Sequence, residues 1–322
     1  MCTAISYKTK DHYFGRNLDI EKSYHEEVVI TPRNYTFLFR HCTRMEEHYA
    51  MIGMATVSNG YPLYYEATNE FGLSAAGLNF PENAIYHDTD EKSDNIAPFE
   101  LIPWILSQCK TIPDTRDKAR TLNITKTPFS PEYPLTPLHW IISDRNESIV
   151  LESTKDGLHI YDNPCGVMTN NPPFPYHLRN LEYYRNLTND DPDDLEIKAE
   201  FYSRGMGAVG LPGDYSSASR FVKAVFVKEN SVTSSDEPDS VSQFFHILDA
   251  VSMPRGCVKA NGEYEITAYS CCCNTDNGVY YYTTYENRQI TAVDMHHVNI
   301  DQEKMISFPL IKQQKIYNQT IN

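Results

Sequence analysis

Cys2, directly after the initiator methionine, is the residue of this sequence that could act as a nucleophile with its own base. If Met1 is removed, which a small second side chain permits, Cys2 carries both a thiol and a free α-amine. An α-amine has an unperturbed pKa of about 7.7–8.0, so much of it is neutral at physiological pH. The amine can then serve the thiol as a base without a histidine. The alternative is an accidental cysteine at a terminus that frays.

The neighbouring sequence predicts that Cys2 begins an ordered strand. Strand-like residues 2–7 and 13–19 flank a polar turn, which predicts a hairpin. The second strand carries Arg16 and Asp19, which could tune the thiol and hold the amine. Side chains alternate between the two faces of a strand, so these two converge only at a bulge or a strand end. A surface ion pair, typically worth about 0–1 kcal/mol, is the competing interpretation.

The rest of the chain alternates strand hairpins with pairs of helices. This order predicts layered α and β packing of the α+β class rather than a Rossmann sheet, in one domain spanning residues 1–322. The aspartate-rich residues 189–194 are predicted to be a solvated connection. Further strands are predicted at residues 27–31, 50–57, 63–69, 73–80, 138–143, 148–153, 157–161, 263–272 and 278–295, and helices at 98–109, 113–122, 177–186, 217–227 and 241–251.

Composition excludes several classes of protein. The 28 basic and 43 acidic residues give a net charge of −15, which repels phosphate backbones and argues against nucleic-acid binding. No segment approaches the ~20 apolar residues of a membrane span, and no signal-peptide pattern opens the chain, so we expect a cytoplasmic protein without membrane insertion.

The eight cysteines show no C-x-x-C spacing, which argues against a disulfide scaffold and a zinc site. The run at 271–273 is interpreted as small apolar residues in a sheet, because neighbouring strand side chains cannot converge on one metal. No glycine-rich phosphate loop is present, and we expect neither a metal nor an organic cofactor. None of the 11 histidines has a recognisable catalytic context, and His177, for example, is interpreted as a surface or packing residue.

Five segments together resemble the choloylglycine hydrolase family, which includes bacterial bile salt hydrolases and penicillin V acylases. They occur in the family's order, and the similarity extends over nearly the whole chain. The segments are MCT at 1–3, FGRNLD at 14–19, AGLNF at 76–80, MTNNP at 168–172 and GLPGDYSSASRF at 210–221.

The resemblance implies an N-terminal nucleophile hydrolase with a four-layer αββα sandwich. Cys2 would be the nucleophile and its freed amine the proton carrier, and Asn79 matches a position that supports the oxyanion site. Asn170 is chosen over Asn171 because the family pattern is Thr-Asn-x-Pro. The positions that match the remaining active-site residues are Arg16, Asp19, Asn170 and Arg220.

The resemblance also implies hydrolysis of glycine- or taurine-conjugated bile acids through a Cys2 thioester. The alternatives are a penicillin V acylase or another acyl-amide hydrolase, and a non-catalytic sterol-binding or redox thiol protein. Asn79 favours bile salts, since penicillin V acylases tend to carry tyrosine there. The family commonly forms homotetramers. Residues expected to bind the flat apolar acyl group, each of which could equally belong to an ordinary core, are Leu18, Tyr24, Tyr65, Phe129 and Leu135.

Overall fold

Two stacked antiparallel sheets with helices on their outer faces make up the computed structural model, which describes residues 1–192, 203–234, 236–260 and 262–320. The strands are β1 (Cys2–Lys8), β2 (His12–Ile20), β3 (Glu27–Thr31), β4 (Met51–Ser58), β5 (Tyr61–Asn69), β6 (Ser74–Asn79), β7 (Asp94–Ile96), β8 (Leu122–Ile124), β9 (Leu138–Ser143), β10 (Ser148–Thr154), β11 (Gly157–Asp162), β12 (Val167–Met168), β13 (Val258–Ala260), β14 (Glu263–Asn274), β15 (Val279–Thr284), β16 (Thr291–Asp294) and β17 (Ile306–Pro309). The helices are α1 (Leu101–Leu106), α2 (Ile112–Ala119), α3 (Phe174–Leu181), α4 (Ser217–Glu229) and α5 (Glu237–Asp249).

Strand order places the chain start inside the first sheet. That sheet runs β12, β1, β2, β14, β15, β16, with β13 paired to β14. The second sheet runs β11, β10, β9, β6, β5, β4, β3, β17, and β7 and β8 form a separate parallel pair. Cys2 itself pairs with Leu18 of β2, and β12 pairs with β1 two residues further on, at Ala4 and Ile5. The start of β1 is therefore held in the sheet rather than left to fray.

The layers follow the order helix, sheet, sheet, helix. Helices α4 and α5 pack on the first sheet, where Phe221 and Phe244 are fully buried. Helix α1 packs on the second sheet and is buried along its whole length. One apolar core joins the two sheets and α4–α5, and a second lies between the second sheet and α1. The predicted four-layer arrangement of the α+β class is confirmed.

Local sequence explains where α4 begins, and α4 matters because it carries Arg220. The Ser216 side chain accepts a hydrogen bond from the Ser219 backbone N–H and so caps the helix. Asp214 in turn accepts from the Ser219 hydroxyl at 2.6 Å. These serines therefore cap the N-terminus of α4, as the sequence predicts.

Several boundaries differ from the sequence predictions. The single strand expected at 278–295 is two strands, because Asn287 and Thr284 exchange backbone hydrogen bonds in a turn between them. The helix expected at 98–109 contains a 3-10 turn, Pro98–Glu100, followed by the short α1. The two-residue strand β12 carries too little pattern to be predicted. Residues 193 and 194 of the aspartate-rich stretch lie outside the described residues.

Within the described ranges, no helix has the length and apolar character needed to cross a bilayer.

The close approach of β2 to β14 requires glycine at position 15. A Cβ atom on Gly15 would lie 1.9 Å from the carbonyl oxygen of Cys271. The nearest atoms belong to the backbone of Cys271 and Cys272, which cannot move aside in a packed sheet. We therefore expect Gly15→Ala to lower the free energy of unfolding by about 1–3 kcal/mol or more. Urea denaturation measures the change. Gly213→Ala, where a Cβ meets nothing within 4 Å, is the matched control. Equal midpoints for the two variants would contradict the expectation.

Candidate active site

Cys2 is the first residue of β1 and is only 4% exposed. It pairs with Leu18, and Arg16 lies two positions away along β2. Directly opposed residues and those two apart share one face of a sheet, so the Cys2, Leu18 and Arg16 side chains point the same way, toward the second sheet. Thr3 points to the opposite face, toward α4. The prediction that Cys2 begins an ordered strand is confirmed.

Asn170 and Arg220 both contact the backbone of Cys2. The Cys2 backbone N–H donates to Asn170 Oδ1 at 2.8 Å. Arg220 Nη2 donates to the same oxygen at 2.8 Å, and its Nη1 donates to the Cys2 carbonyl and, at 2.7 Å, to Thr3 Oγ1. Arg220 is 1% exposed. Strand β1, the loop that carries Asn170 and helix α4 therefore meet at the backbone nitrogen and carbonyl of Cys2.

These contacts also determine which way the Asn170 amide faces. Its oxygen accepts from two donors, so its Nδ2 points away and donates to the Asn79 carbonyl at 2.8 Å. The Asn79 side chain is exposed at the end of β6. Asn171 instead donates to the Pro81 carbonyl at 2.6 Å. The structure therefore brings Asn170 rather than Asn171 to Cys2, and Asn79 contacts the site through its backbone.

Met1 extends β1 by one residue. Its carbonyl accepts from the Asp19 N–H at 2.9 Å, and its amine donates to the Asp19 carbonyl at 2.7 Å and pairs with the Glu265 carboxylate. With Met1 in place, the Cys2 nitrogen is an amide and has no basic lone pair. A free α-amine at Cys2 requires removal of Met1.

Asp19 lies beside this amine position, fully buried on β2. Thr267 donates its hydroxyl to Asp19 Oδ1 at 2.6 Å, whereas Oδ2 has no hydrogen-bond partner in the described part of the chain. Burial raises the pKa of Asp19, and the nearby Arg220 and chain amine act against that rise. Arg16 and Asp19 lie on opposite faces of β2, beside the start of β1 that carries Cys2.

Arg16 bridges the two sheets with no solvent exposure. Its Nη1 donates to the carbonyls of Gly77, at 2.5 Å, and Tyr65, at 3.2 Å. Its Nη2 has no partner among the described residues. Burial disfavours the charged guanidinium, but the neighbouring Cys2, Tyr269 and Glu66 outweigh burial and raise the pKa of Arg16. Arg16 therefore stays a cation on the Cys2 face.

The residues expected to bind substrate fall into two groups. Leu18 pairs with Cys2, and Thr56 links the Tyr24 carbonyl to the Tyr65 hydroxyl through contacts of 3.0 and 2.9 Å. Tyr24 is 40% exposed. In the second group, Phe129 belongs to an aromatic cluster and lies 5.2 Å from Phe99 between ring centroids. Leu135 is 39% exposed in the segment that leads from Phe129 to β9.

Sequence reasoning missed a buried polar pair behind the Asn170 loop. His139 contacts Glu152 Oε1 at 3.0 Å through Nδ1 and the Thr169 carbonyl at 2.9 Å through Nε2. Its ring stacks on Phe80 at 4.2 Å. The pair comes from β9 and β10 of the second sheet, 13 residues apart, and no local sequence pattern signals it.

His177 is a second missed contributor, although it was interpreted as a surface or packing residue. It is 1% exposed on α3, and its Nε2 donates to the Asn170 carbonyl at 2.9 Å. His139 and His177 thus hold the backbone on both sides of the Asn170 peptide. The prediction is correct about burial in packing and omits the hydrogen bond that positions Asn170.

In the part of the chain that is described, no three His, Cys, Asp or Glu side chains are grouped to hold a metal ion. Cys271, Cys272 and Cys273 are buried in β14 as free thiols, so the run packs as the sequence analysis expects.

Comparison with known proteins identifies the class. The model of the family described as linear amide C–N hydrolases, choloylglycine hydrolase family, matches residues 2–308. The chain belongs to the choloylglycine hydrolase family and is an amidohydrolase of that family, which confirms the resemblance.

Individual relatives refine this placement. The chain is 50% identical over 321 residues to the bile salt hydrolase/transferase of Lactiplantibacillus plantarum, covering 98% of this chain and 99% of that protein. It is 37% identical to the bile salt hydrolase/transferase of Clostridium perfringens, covering 100% and 98%. The solved C2A mutant of the conjugated bile acid hydrolase from Clostridium perfringens superposes with a TM-score of 0.92 at 35% identity, covering 99% and 100%. Penicillin V acylase from Agrobacterium tumefaciens, at 19% identity and a TM-score of 0.76 over 96% and 91%, shares the fold.

The buried His177 predicts a pH dependence of stability. Burial lowers the pKa of His177 from its ordinary value of 6.5 to about 4. Between these values the unfolded chain binds a proton that the folded chain does not, so stability is complete above pH 6.5 and falls as the pH drops toward 4. Because two to three pKa units are involved, we expect His177→Gln to remove about 2 kcal/mol of the stability difference between pH 7 and pH 4.5.

Urea denaturation at the two pH values measures this difference. Glutamine can still donate to the Asn170 carbonyl, so the comparison isolates the titration. His25→Gln, at an exposed histidine, is the control and should behave as the wild type. If the stability of His177→Gln depended on pH as the wild type does, His177 would not be the source of this pH dependence.

Proposed function

We propose that this protein hydrolyses the amide bond of glycine- or taurine-conjugated bile acids through a thioester on Cys2. The observation that carries the proposal is the arrangement at the start of β1, where Asn170 accepts from the Cys2 nitrogen and Arg220 donates to its carbonyl. The 50% identity to a bile salt hydrolase/transferase supports the substrate class.

Activation of the nucleophile uses both groups of Cys2. Once Met1 is removed, the Cys2 nitrogen is an α-amine that keeps Asn170 Oδ1 as acceptor and takes the thiol proton. Asp19, with its unpartnered Oδ2, holds the resulting ammonium. Arg16 and Arg220 supply positive potential from the two faces of the sheet and stabilise the thiolate.

Acylation and hydrolysis then follow in sequence. Cys2 Sγ bonds to the amide carbon. The developing oxyanion accepts one hydrogen bond from the second N–H of Asn170 Nδ2 and another from the exposed side-chain amide of Asn79. One such donor is typically worth about 2.7–4 kcal/mol of barrier. The amide C–N bond breaks as the Cys2 ammonium protonates the leaving nitrogen, which frees glycine or taurine. Water next attacks the thioester carbon while the amine takes a water proton. The C–S bond then breaks, the proton returns to Cys2 Sγ, and the bile acid leaves.

The acyl group would lie against apolar side chains. Leu18, next to Cys2 in the ladder, and Tyr65 supply apolar surface on the nucleophile's face. In this proposal Tyr24, Phe129 and Leu135 bind the outer part of the acyl group, which the exposure of Tyr24 and Leu135, 40% and 39%, supports. A flat steroid gains affinity by burying such surface, at about 25 cal/mol per Å².

Assembly and location extend the proposal. We propose a homotetramer, on the strength of the family resemblance, and a cytoplasmic location, as the sequence analysis expects. Size-exclusion chromatography with light scattering should give four times the chain mass at micromolar concentration. A monomer mass under these conditions would contradict the tetramer.

The proposal predicts that turnover depends on Cys2. Purified protein, shown by intact mass to lack Met1, should release glycine from glycocholate and taurine from taurocholate. Cys2→Ser should remain folded but lose nearly all turnover, because a hydroxyl is a poorer nucleophile beside this amine. Amine release is measured with ninhydrin and folding by circular dichroism. Undiminished release by Cys2→Ser would refute Cys2 catalysis.

Parallel substrates separate the alternatives. Catalytic efficiency on penicillin V is measured in the same preparation. A higher catalytic efficiency on penicillin V than on both bile conjugates would show that the protein is a penicillin V acylase instead. No release from any of the three, with Met1 removed, would favour the non-catalytic sterol-binding or redox thiol protein.

A further inference from the structure

A buried carboxylate that the proposed mechanism does not use lies behind Arg16. Glu66 on β5 is 2% exposed, and each of its carboxylate oxygens accepts a hydrogen bond from a tyrosine of the first sheet. The Tyr280 hydroxyl donates to Oε1 at 2.6 Å, and the Tyr269 hydroxyl donates to Oε2 at 2.7 Å. Glu66 therefore joins the two sheets at the level of the active site.

Burial raises the pKa of Glu66, and Arg16 together with the hydrogen bonds from Tyr280 and Tyr269 acts against that rise. A guanidinium beside the carboxylate and a hydroxyl donor on each oxygen favour its ionised form. Burial first, and then the negative charges of neighbouring groups including Glu66, raise the pKa of Tyr269 and Tyr280 well above the ordinary value, so both hydroxyls keep their protons and donate. An ionised carboxylate is an acceptor at both oxygens, which matches this pattern.

Glu66 is also the carboxylate closest to Arg16 in the described structure. Its Oε2 lies 3.8 Å from Arg16 Nε, and both side chains are buried. The other contacts of the guanidinium are backbone carbonyls, which carry no net charge. A buried cation needs a counter-ion, and removing one partner of such a pair leaves the other uncompensated.

The pair lies on the face of the first sheet that carries the nucleophile. Arg16 is diagonal to Cys2 on the same face of the β1–β2 ladder, and Glu66 approaches Arg16 from β5 of the opposing sheet. Charged or titratable groups surround Cys2 and Glu66 on every neighbouring element. They are the Met1 amine before β1, Arg16 and Asp19 on β2, Glu265, Tyr269, Cys271 and Cys273 on β14, Tyr280 on β15 and Arg220 on α4.

We propose that Glu66 is a positioning residue that holds Arg16 toward Cys2 and, by its negative charge, limits the positive potential at the Cys2 sulfur and amine. This inference rests on the proposed function for its catalytic consequence, but its electrostatic consequence at the thiol can be measured without a substrate. Glu66 touches neither Cys2 nor substrate and acts through Arg16.

The sign of the effect follows from the charges. Glu66→Gln keeps the shape and one acceptor but removes a negative charge, so Arg16 is no longer offset. The Cys2 thiol then loses its proton at lower pH. For two charges separated by one intervening side chain, at an effective dielectric constant of about 20, the shift is on the order of one pH unit.

The experiment measures Cys2 alkylation by iodoacetamide against pH, in protein from which Met1 has been removed. Peptide mass spectrometry separates Cys2 from the exposed Cys257. We expect the midpoint for Glu66→Gln to fall by about one pH unit, and the acidic limb of kcat/KM for glycocholate to move equally. Glu66→Asp, which keeps the charge, should keep the wild-type midpoint.

Glu100→Gln is the matched control. Glu100 is also fully buried and accepts from the backbone N–H groups of Arg40 and Ala97, but it lies in the core beside α1. Its variant should leave the midpoint unchanged. A folded Glu66→Gln with the wild-type midpoint would overturn the inference, whether or not bile conjugates are substrates.

A second variant keeps the inference testable if Glu66→Gln does not fold. The carboxylate of Glu66→Asp is one methylene further from Arg16, so the guanidinium is held less well. We expect kcat for glycocholate to fall at least threefold with KM within twofold, and the alkylation rate at its plateau to change as well. If kcat and the plateau rate both equal the wild-type values, Glu66 does not position Arg16.

Discussion

Two guanidinium groups buried on opposite faces of the first sheet constrain the rest of this structure. Arg16 is 0% and Arg220 1% exposed, and a buried cation is costly unless carbonyl and carboxylate oxygens surround it. For Arg16 those oxygens come from the second sheet. For Arg220 they come from the Cys2 carbonyl and the Asn170 side chain. Stacking the sheets and docking α4 therefore compensate the charges and enclose Cys2 at the same time.

In the proposed mechanism the site needs few groups, because nucleophile and base belong to one residue. What remains is to orient that residue, and the structure does so mainly through backbone atoms in rigid ladders. Cys2 is held by pairing with Leu18 and by Asn170 Oδ1, and Asn170 is held in turn by His177 at its carbonyl. Strands and buried hydrogen bonds restrict motion more than loops do, which suits a reaction that depends on placement.

Much of this arrangement could be predicted from local pattern. The hairpin of β1 and β2 follows from alternation around a polar turn, and alternation also places Arg16 and Asp19 on opposite faces. Motif order then adds Asn170 and Arg220. Glu66 and His139 could not be predicted, because each acts through residues of the opposite sheet or a distant loop. The split of β15 from β16 was also missed, since the polar turn at Asn287 interrupts an otherwise strand-like run.

By itself, the sequence determined the position of the Cys2 thiol. It also determined the strand that holds Cys2 and the face on which each β2 side chain lies, because these depend on the period of two along a single strand. Only the tertiary structure decided which buried groups face Cys2 across the sheets, and that Asn79 meets Asn170 through its carbonyl. Those contacts join residues up to 214 positions apart, as between Glu66 and Tyr280. They depend on how two twisted sheets stack, which no local periodicity encodes.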